Sequence, residues 1–350
     1  MKSVLFSIAL VIFTMYGCKE NAAEDVNAFI GYGQMPNIAK DKKGNLHIVY
    51  GSGDSIWYAA STDDGEHFSP PDLVATLAEL AASHTRGPQI AATTDGLLIT
   101  ACSNKGDIFS YIKSGEGDWK QSARVNDVDT AAKENLMSLA SFENRAFSVW
   151  LDLRDGNNKI FGASSTDGGK TWSRNILLYA SPDTTVCECC KPSVVMNENK
   201  VYVMFRNWLK GNRDLYMITS EDSGAVFGEA QKLGNGSWAL KGCPMDGGAL
   251  VINDEGNAET VWTRKGIIYS CKPGKEEAEI GMGKSCTMET VNGNNVYAWV
   301  ENGDIIVLTH HGMKKNLGKG HLPVLKSLHN DNVLCVWEND KKIHKLVLEL

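Results

Sequence analysis

The chain has 350 residues, with 35 Lys plus Arg against 42 Asp plus Glu and a formal net charge of −7. That acidic balance excludes the basic footprint of a nucleic-acid-binding domain, so no nucleic acid is expected as a partner. Nine tryptophans and 34 glycines among short apolar runs suit a turn-rich β-protein, and no Pro- or Ser-rich linker divides the chain.

The N-terminus reads as an address. Lys2 precedes an apolar run over residues 4–15, which meets Tyr16-Gly17-Cys18. A charged start, a short apolar core and a small residue before the cut describe a secretory signal over residues 1–17. The run is too short for a comfortable membrane-spanning helix. Gly17-Cys18 resembles the end of a bacterial lipobox. That resemblance implies lipidation of Cys18, a tether over residues 18–25, and an exported protein anchored in the cell envelope. Export permits disulfides. Eight cysteines follow Cys18: Cys102, Cys187, Cys189, Cys190, Cys243, Cys271, Cys286 and Cys335. Their spacing does not fix their pairing.

Residues 26–30 form a short leading strand. Runs rich in β-branched and aromatic residues at 36–39, 46–50 and 56–59 make a first unit. It ends in Ser61-Thr62-Asp63-Asp64-Gly65-Glu66-His67-Phe68. Residues 73–82 are expected as a short helix between units. A second unit covers 87–90, 97–101 and 107–112, with a degraded turn at 114–119. The third covers 136–140, 146–151 and 159–163 and ends in Ser165-Thr166-Asp167-Gly168-Gly169-Lys170-Thr171-Trp172. The fourth covers 192–196, 201–205 and 214–218 and ends in Ser220-Glu221-Asp222-Ser223-Gly224-Ala225-Val226-Phe227. Three further units start near residues 249, 286 and 322.

The three octets share one pattern: Ser, Asp two later, Gly four later, an aromatic seven later. Asp accepts hydrogen bonds from nearby backbone N–H groups, and Gly takes φ > 0, so each reads as a turn between strands. The octets resemble the Asp-box of sialidases and sialidase-like β-propellers, which contain BNR repeats. The resemblance implies that Ser61, Asp63, Gly65, Phe68, Ser165, Asp167, Gly169, Trp172, Ser220, Asp222, Gly224 and Phe227 are structural. It also implies a monomeric all-β propeller of four-stranded antiparallel blades over residues 26–350. Seven blades are counted, with six as the alternative because sialidases have six. The last unit lacks a fourth strand, which the leading strand can supply, removing a free sheet edge.

In such a propeller, first-strand starts and second-strand ends surround one mouth of a central channel. Arg86, Arg206, Arg264 and Asp246 fall there and are read as a cluster for a carboxylate-bearing ligand, since guanidinium groups suit that task. The ligand class implied is a glycan or another small anion. The family's early Arg-Ile-Pro motif is absent, because Gln34-Met35-Pro36-Asn37-Ile38 stands in its place. No catalytic residue is assigned, and active exo-sialidase or related glycosidase chemistry remains the alternative. Cys187, Cys189 and Cys190 precede the first strand of one unit, and Cys243 that of the next, so the four are expected to be neighbours. Disulfides, a soft-metal thiolate site for Cu or Zn, and redox chemistry all fit that spacing.

Overall fold

The protein's structure, a computed structural model, describes residues 29–329 and 331–350. The signal segment, Cys18, the tether and the first three residues of the leading strand lie outside the described residues.

Seven four-stranded antiparallel sheets form a seven-bladed β-propeller, and the described residues contain no helix. The innermost strands of blades 1 to 7 are Gln34–Lys40, Gln89–Thr93, Met137–Phe142, Ser193–Asn197, Ala249–Ile252, Lys284–Val291 and His321–Ser327. Each packs on the next around the ring, and that of blade 7 returns to that of blade 1. Blade 7 takes its outermost strand, Phe29–Tyr32, from the N-terminal end, paired antiparallel with Lys342–Leu348. Both ends of the described chain are thereby locked into one sheet.

The second strand of each blade is buried on both faces, which explains the near-continuous apolar runs. In blade 3 it is Arg145–Asp152, where Phe147, Val149 and Trp150 are fully buried. The core lies between blades. Phe147 and Val149 of blade 3 meet Val194 and Val203 of blade 4. The same packing recurs where Ala298 and Val307 of blade 6 meet Val333 and Cys335 of blade 7.

The helix expected over residues 73–82 does not form. Asp72–Thr76 is instead the outer strand of blade 1, pairing with residues 55–58. Its Leu and Ala content favours a helix, but the unpaired edge of Ser55–Ser61 needs a partner. Val74 turns inward while Leu73 stays exposed, which is the alternation of a strand.

The three octets fold alike. Gly65, Gly169 and Gly224 each donate N–H to the octet's Ser Oγ at 2.9 Å. The carboxylates of Asp63, Asp167 and Asp222 each accept from the Ser hydroxyl and from the backbone N–H four residues on. Gly169 is at φ 84°, and a Cβ there would lie 2.3 Å from Leu98 of the preceding blade. The octet therefore wedges one blade against its neighbour. Strand alternation puts these turns on the face opposite the first-strand starts.

Candidate functional site

A cavity of about 190 Å³ opens where the innermost strands begin. Six of the seven blades or the segments leading into them contribute to it, so it is the mouth of the central channel. Met35, Asn37, Gln89, Lys191, Ser193, Met245, Asp246, Ser285 and Thr287 are in its lining.

Lys191 is the lone cation among the described residues that line it. Its Nζ donates to Gln89 Oε1 at 2.9 Å. The Gln89 amide nitrogen is committed to the carbonyls of Gly87 and Pro88, both at 3.0 Å, so its oxygen is the end presented to the lysine. Among the described residues no carboxylate lies within ion-pair distance of Lys191. Burial pulls its pKa from 10.5 down to about 8, so it remains mostly protonated at neutral pH. The backbone that carries it is tightly seated: a Cβ on Gly247 would lie 1.9 Å from the Lys191 carbonyl oxygen.

Asp246 also lines the cavity and is buried. Its two carboxylate oxygens accept from the N–H groups of Gly248 and Ser285, each at 3.1 Å, so it ties blade 5 to blade 6. Around the same mouth, Met35, Met245, Ser285 and Leu322 hold φ between 52° and 59°. None is Gly or Asn. Left-handed backbone in such residues costs about 1 kcal/mol or more each, and it concentrates at ligand sites. The first-strand bulges at Gln34/Asn37, Lys284/Thr287 and His321/Val324 re-aim the chain at this rim.

The three arginines do not converge in this cavity, which corrects the cluster expected from the sequence. Arg86 donates to the Glu134 carbonyl at 2.7 Å and the His84 carbonyl at 3.1 Å, with the Glu134 carboxylate 3.8 Å away. Arg206 is 1% exposed and donates Nε, Nη1 and Nη2 to the carbonyls of Asp246, Arg213 and Thr263 at 2.8–2.9 Å. Arg264 makes a two-pronged pair with Glu277 and lies 4.1 Å over the Tyr269 ring. Arg206 and Arg264 line a crevice between blades 4 and 5 that has no room for a water molecule. Each arginine is held by these partners, and none of the three lines this cavity. Asp152 and Arg154 form a local ion pair, at 2.8 Å.

The four cysteines ahead of blades 4 and 5 do meet. Cys187 pairs with Cys190, and Cys189 with Cys243, with Cα separations of 5.5 and 6.3 Å. Cys187 Sγ and Cys189 Sγ are 3.8 Å apart. Arg213 Nη1 donates to Cys187 Sγ at 3.1 Å, while the same guanidinium is held by both oxygens of Glu188 and stacks 4.6 Å from the Trp208 ring. Cys102, Cys271, Cys286 and Cys335 are free and buried.

A larger concavity of about 500 Å³ lies between blades 1 and 2 on the opposite face, beside the turn where blade 2 has no octet. Its lining mixes Asp41, Asp72, Asp95 and Glu116 with Lys42, Lys43 and Lys113, so it presents no single sign of charge.

No protein-family model matches the chain, and no curated protein matches it in sequence. Solved structures share the fold. An ulvan lyase bound to -[GlcA(1-4)Rha3S]- aligns with a TM-score of 0.58 at 12% identity, over 93% of this chain and 96% of that one. Virginiamycin B lyase from Staphylococcus aureus aligns with a TM-score of 0.55 at 14% identity, over 92% and 97%. The Penicillium chrysogenum alpha-L-arabinanase complexed with arabinobiose aligns with a TM-score of 0.52 at 12% identity, over 92% and 95%.

Proposed function

We propose that this protein is an exported, lipid-anchored β-propeller that binds a glycan through one terminal acidic sugar at the channel mouth. The observation that carries the reading is Lys191: a half-buried ammonium with a single neutral hydrogen-bond partner, in a cavity with no other cation among the described residues. An incoming carboxylate would supply the missing counter-charge, and charge-assisted hydrogen bonds of this kind are the strong ones. Gln89 fixes the ammonium, and Ser193, Ser285 and Thr287 border the same space. At about 30 Å³ per water, the cavity holds roughly six waters. That volume suits the acid group and part of one ring, with the rest of the glycan lying on the face outside. Two of the similar propellers were solved holding carbohydrate, which makes glycan the ligand class to test first. Export and anchoring rest on Lys2, the apolar run and Gly17-Cys18.

Binding is favoured over sialoside cleavage. A sialidase needs three arginines on one carboxylate and a Tyr–Glu pair. Arg86, Arg206 and Arg264 are each held elsewhere, and Tyr269 lies under Arg264 and against Trp262, away from the channel. Calorimetric titration with N-acetylneuraminate, glucuronate and neutral glucose tests the reading. An acidic sugar should bind, glucose should not, and a fluorogenic sialoside should not turn over. Equal binding of glucuronate and glucose would reject the role of Lys191.

A further inference from the structure

We propose that the reduced form of the Cys187/Cys189/Cys190 cluster is a binding site for Cu(I). The inference is independent of the glycan reading, because it rests on sulfur geometry outside the channel.

The Sγ atoms of Cys187, Cys189 and Cys190 all lie within 4.8 Å of one another. Thiolates about 2.3 Å from a shared metal sit about 3.8 Å apart on a tetrahedral centre and about 4.0 Å apart on a trigonal one. The Cys187–Cys189 separation of 3.8 Å already falls at that edge length. The three come from one short segment, so the chain itself holds them together. The fourth sulfur, Cys243, arrives from the adjacent blade on an exposed residue. Three fixed ligands and one peripheral one suit a soft cation of low coordination number better than Zn(II), which takes four ligands in structural sites.

Arg213 supplies the second, separate observation. Its side chain is 2% exposed and clamped by Glu188, and Nη1 still reaches Cys187 Sγ at 3.1 Å. A disulfide sulfur is neutral and gains little from a guanidinium. A thiolate gains a charge-assisted hydrogen bond from it. Cu(I) on three thiolates carries two net negative charges; the Arg213–Glu188 pair is neutral overall, but it aims an N–H donor at one of the three sulfurs.

Disulfides and metal are alternative occupants of the same sulfurs. Each disulfide accepts two electrons and two protons from a dithiol, here dithiothreitol, which closes to its cyclic disulfide. Cu(I) then displaces the thiol protons as the Cu–S bonds form.

The test uses the purified protein, once oxidised and once reduced by dithiothreitol and desalted without oxygen. Both are titrated with Cu(I) buffered by bicinchoninate. The reduced protein should take up one Cu(I) per chain with a thiolate-to-copper ultraviolet band, and the oxidised protein none. The oxidised form retains Cys102, Cys271, Cys286 and Cys335, so it controls for those thiols. The Cys243→Ser variant should keep its one Cu(I) and lose Zn(II) affinity at least tenfold. The Cys187→Ser/Cys189→Ser variant should lose the copper while keeping the circular dichroism of the parent. Equal Cu(I) uptake by the oxidised and reduced forms, or no uptake by the reduced form, would overturn the proposal without any variant.

Discussion

Replacing Lys191 with methionine tests the channel chemistry through stability as well as binding. Burial moves the ammonium from 10.5 to about 8. At 1.36 kcal/mol per pKa unit, the folded protein at pH 7 carries on the order of 3 kcal/mol of desolvation cost in this one charge. Methionine has a similar length and no charge, so Lys191→Met removes that cost. It also removes the hydrogen bond to Gln89 Oε1, worth about 1 kcal/mol. The variant should therefore be more stable at pH 7 by about 2 kcal/mol. The advantage depends on pH with a definite sign. The folded pKa is depressed, so between about pH 8 and 10.5 the unfolded chain binds the proton more than the folded one does. Wild-type stability therefore gains on the variant's over that window, and the gap between them closes. Urea denaturation of both proteins at pH 7, 8.5 and 10 measures the difference. A variant less stable at pH 7, or a gap that stays constant across the three pH values, would refute the picture of a desolvated, unpaired lysine.

Asp167→Ala should destabilise the fold by about 1–2 kcal/mol without changing ligand affinity, because the carboxylate accepts from Ser165 and Thr171 far from the channel. Burial alone would raise the Asp167 pKa, but those hydrogen bonds outweigh it and hold it below normal, so this contribution fades as pH falls through the carboxylate range. Thermal denaturation at pH 7 and pH 3 reads both effects. Arg206→Met should cost at least about 3 kcal/mol, since it leaves the carbonyls of Asp246, Arg213 and Thr263 buried without donors; a soluble variant of unchanged denaturation midpoint would return Arg206 to the ligand-binding candidates. Cys18→Ser should release the exported protein from membranes, and persistence in the membrane fraction after a high-salt wash would exclude the lipid anchor.

The fold was legible because a blade repeats a local pattern. The innermost strands of the last three blades start at Ala249, Lys284 and His321, within two residues of the unit starts read from the sequence. The recurring units of apolar runs, three of them ending in an octet, carried the count of seven blades. Residues 73–82 misled because composition spoke for a helix while a neighbouring strand edge decided the outcome. The face carrying the channel mouth followed from strand alternation alone. The roles of the cations did not. A cation is free or spent according to contacts the sequence does not display, and Arg206 takes two of its three acceptors, the carbonyls of Asp246 and Thr263, from the next blade. Lys191 sits between Cys190 and Pro192 and looked like part of the cysteine segment; only the packing shows it opening into the channel beside Gln89, 102 residues earlier. The left-handed backbone at Met35, Met245, Ser285 and Leu322 has no sequence signal, because none of these residue types favours it.

The most direct measurement is a crystal structure of the protein soaked with glucuronate at pH 7. The carboxylate should lie in the channel mouth within hydrogen-bond distance of Lys191 Nζ, with Gln89 Oε1 still holding the ammonium from the other side. Glucuronate seated elsewhere on the propeller, with the channel mouth holding only water, would contradict the assignment.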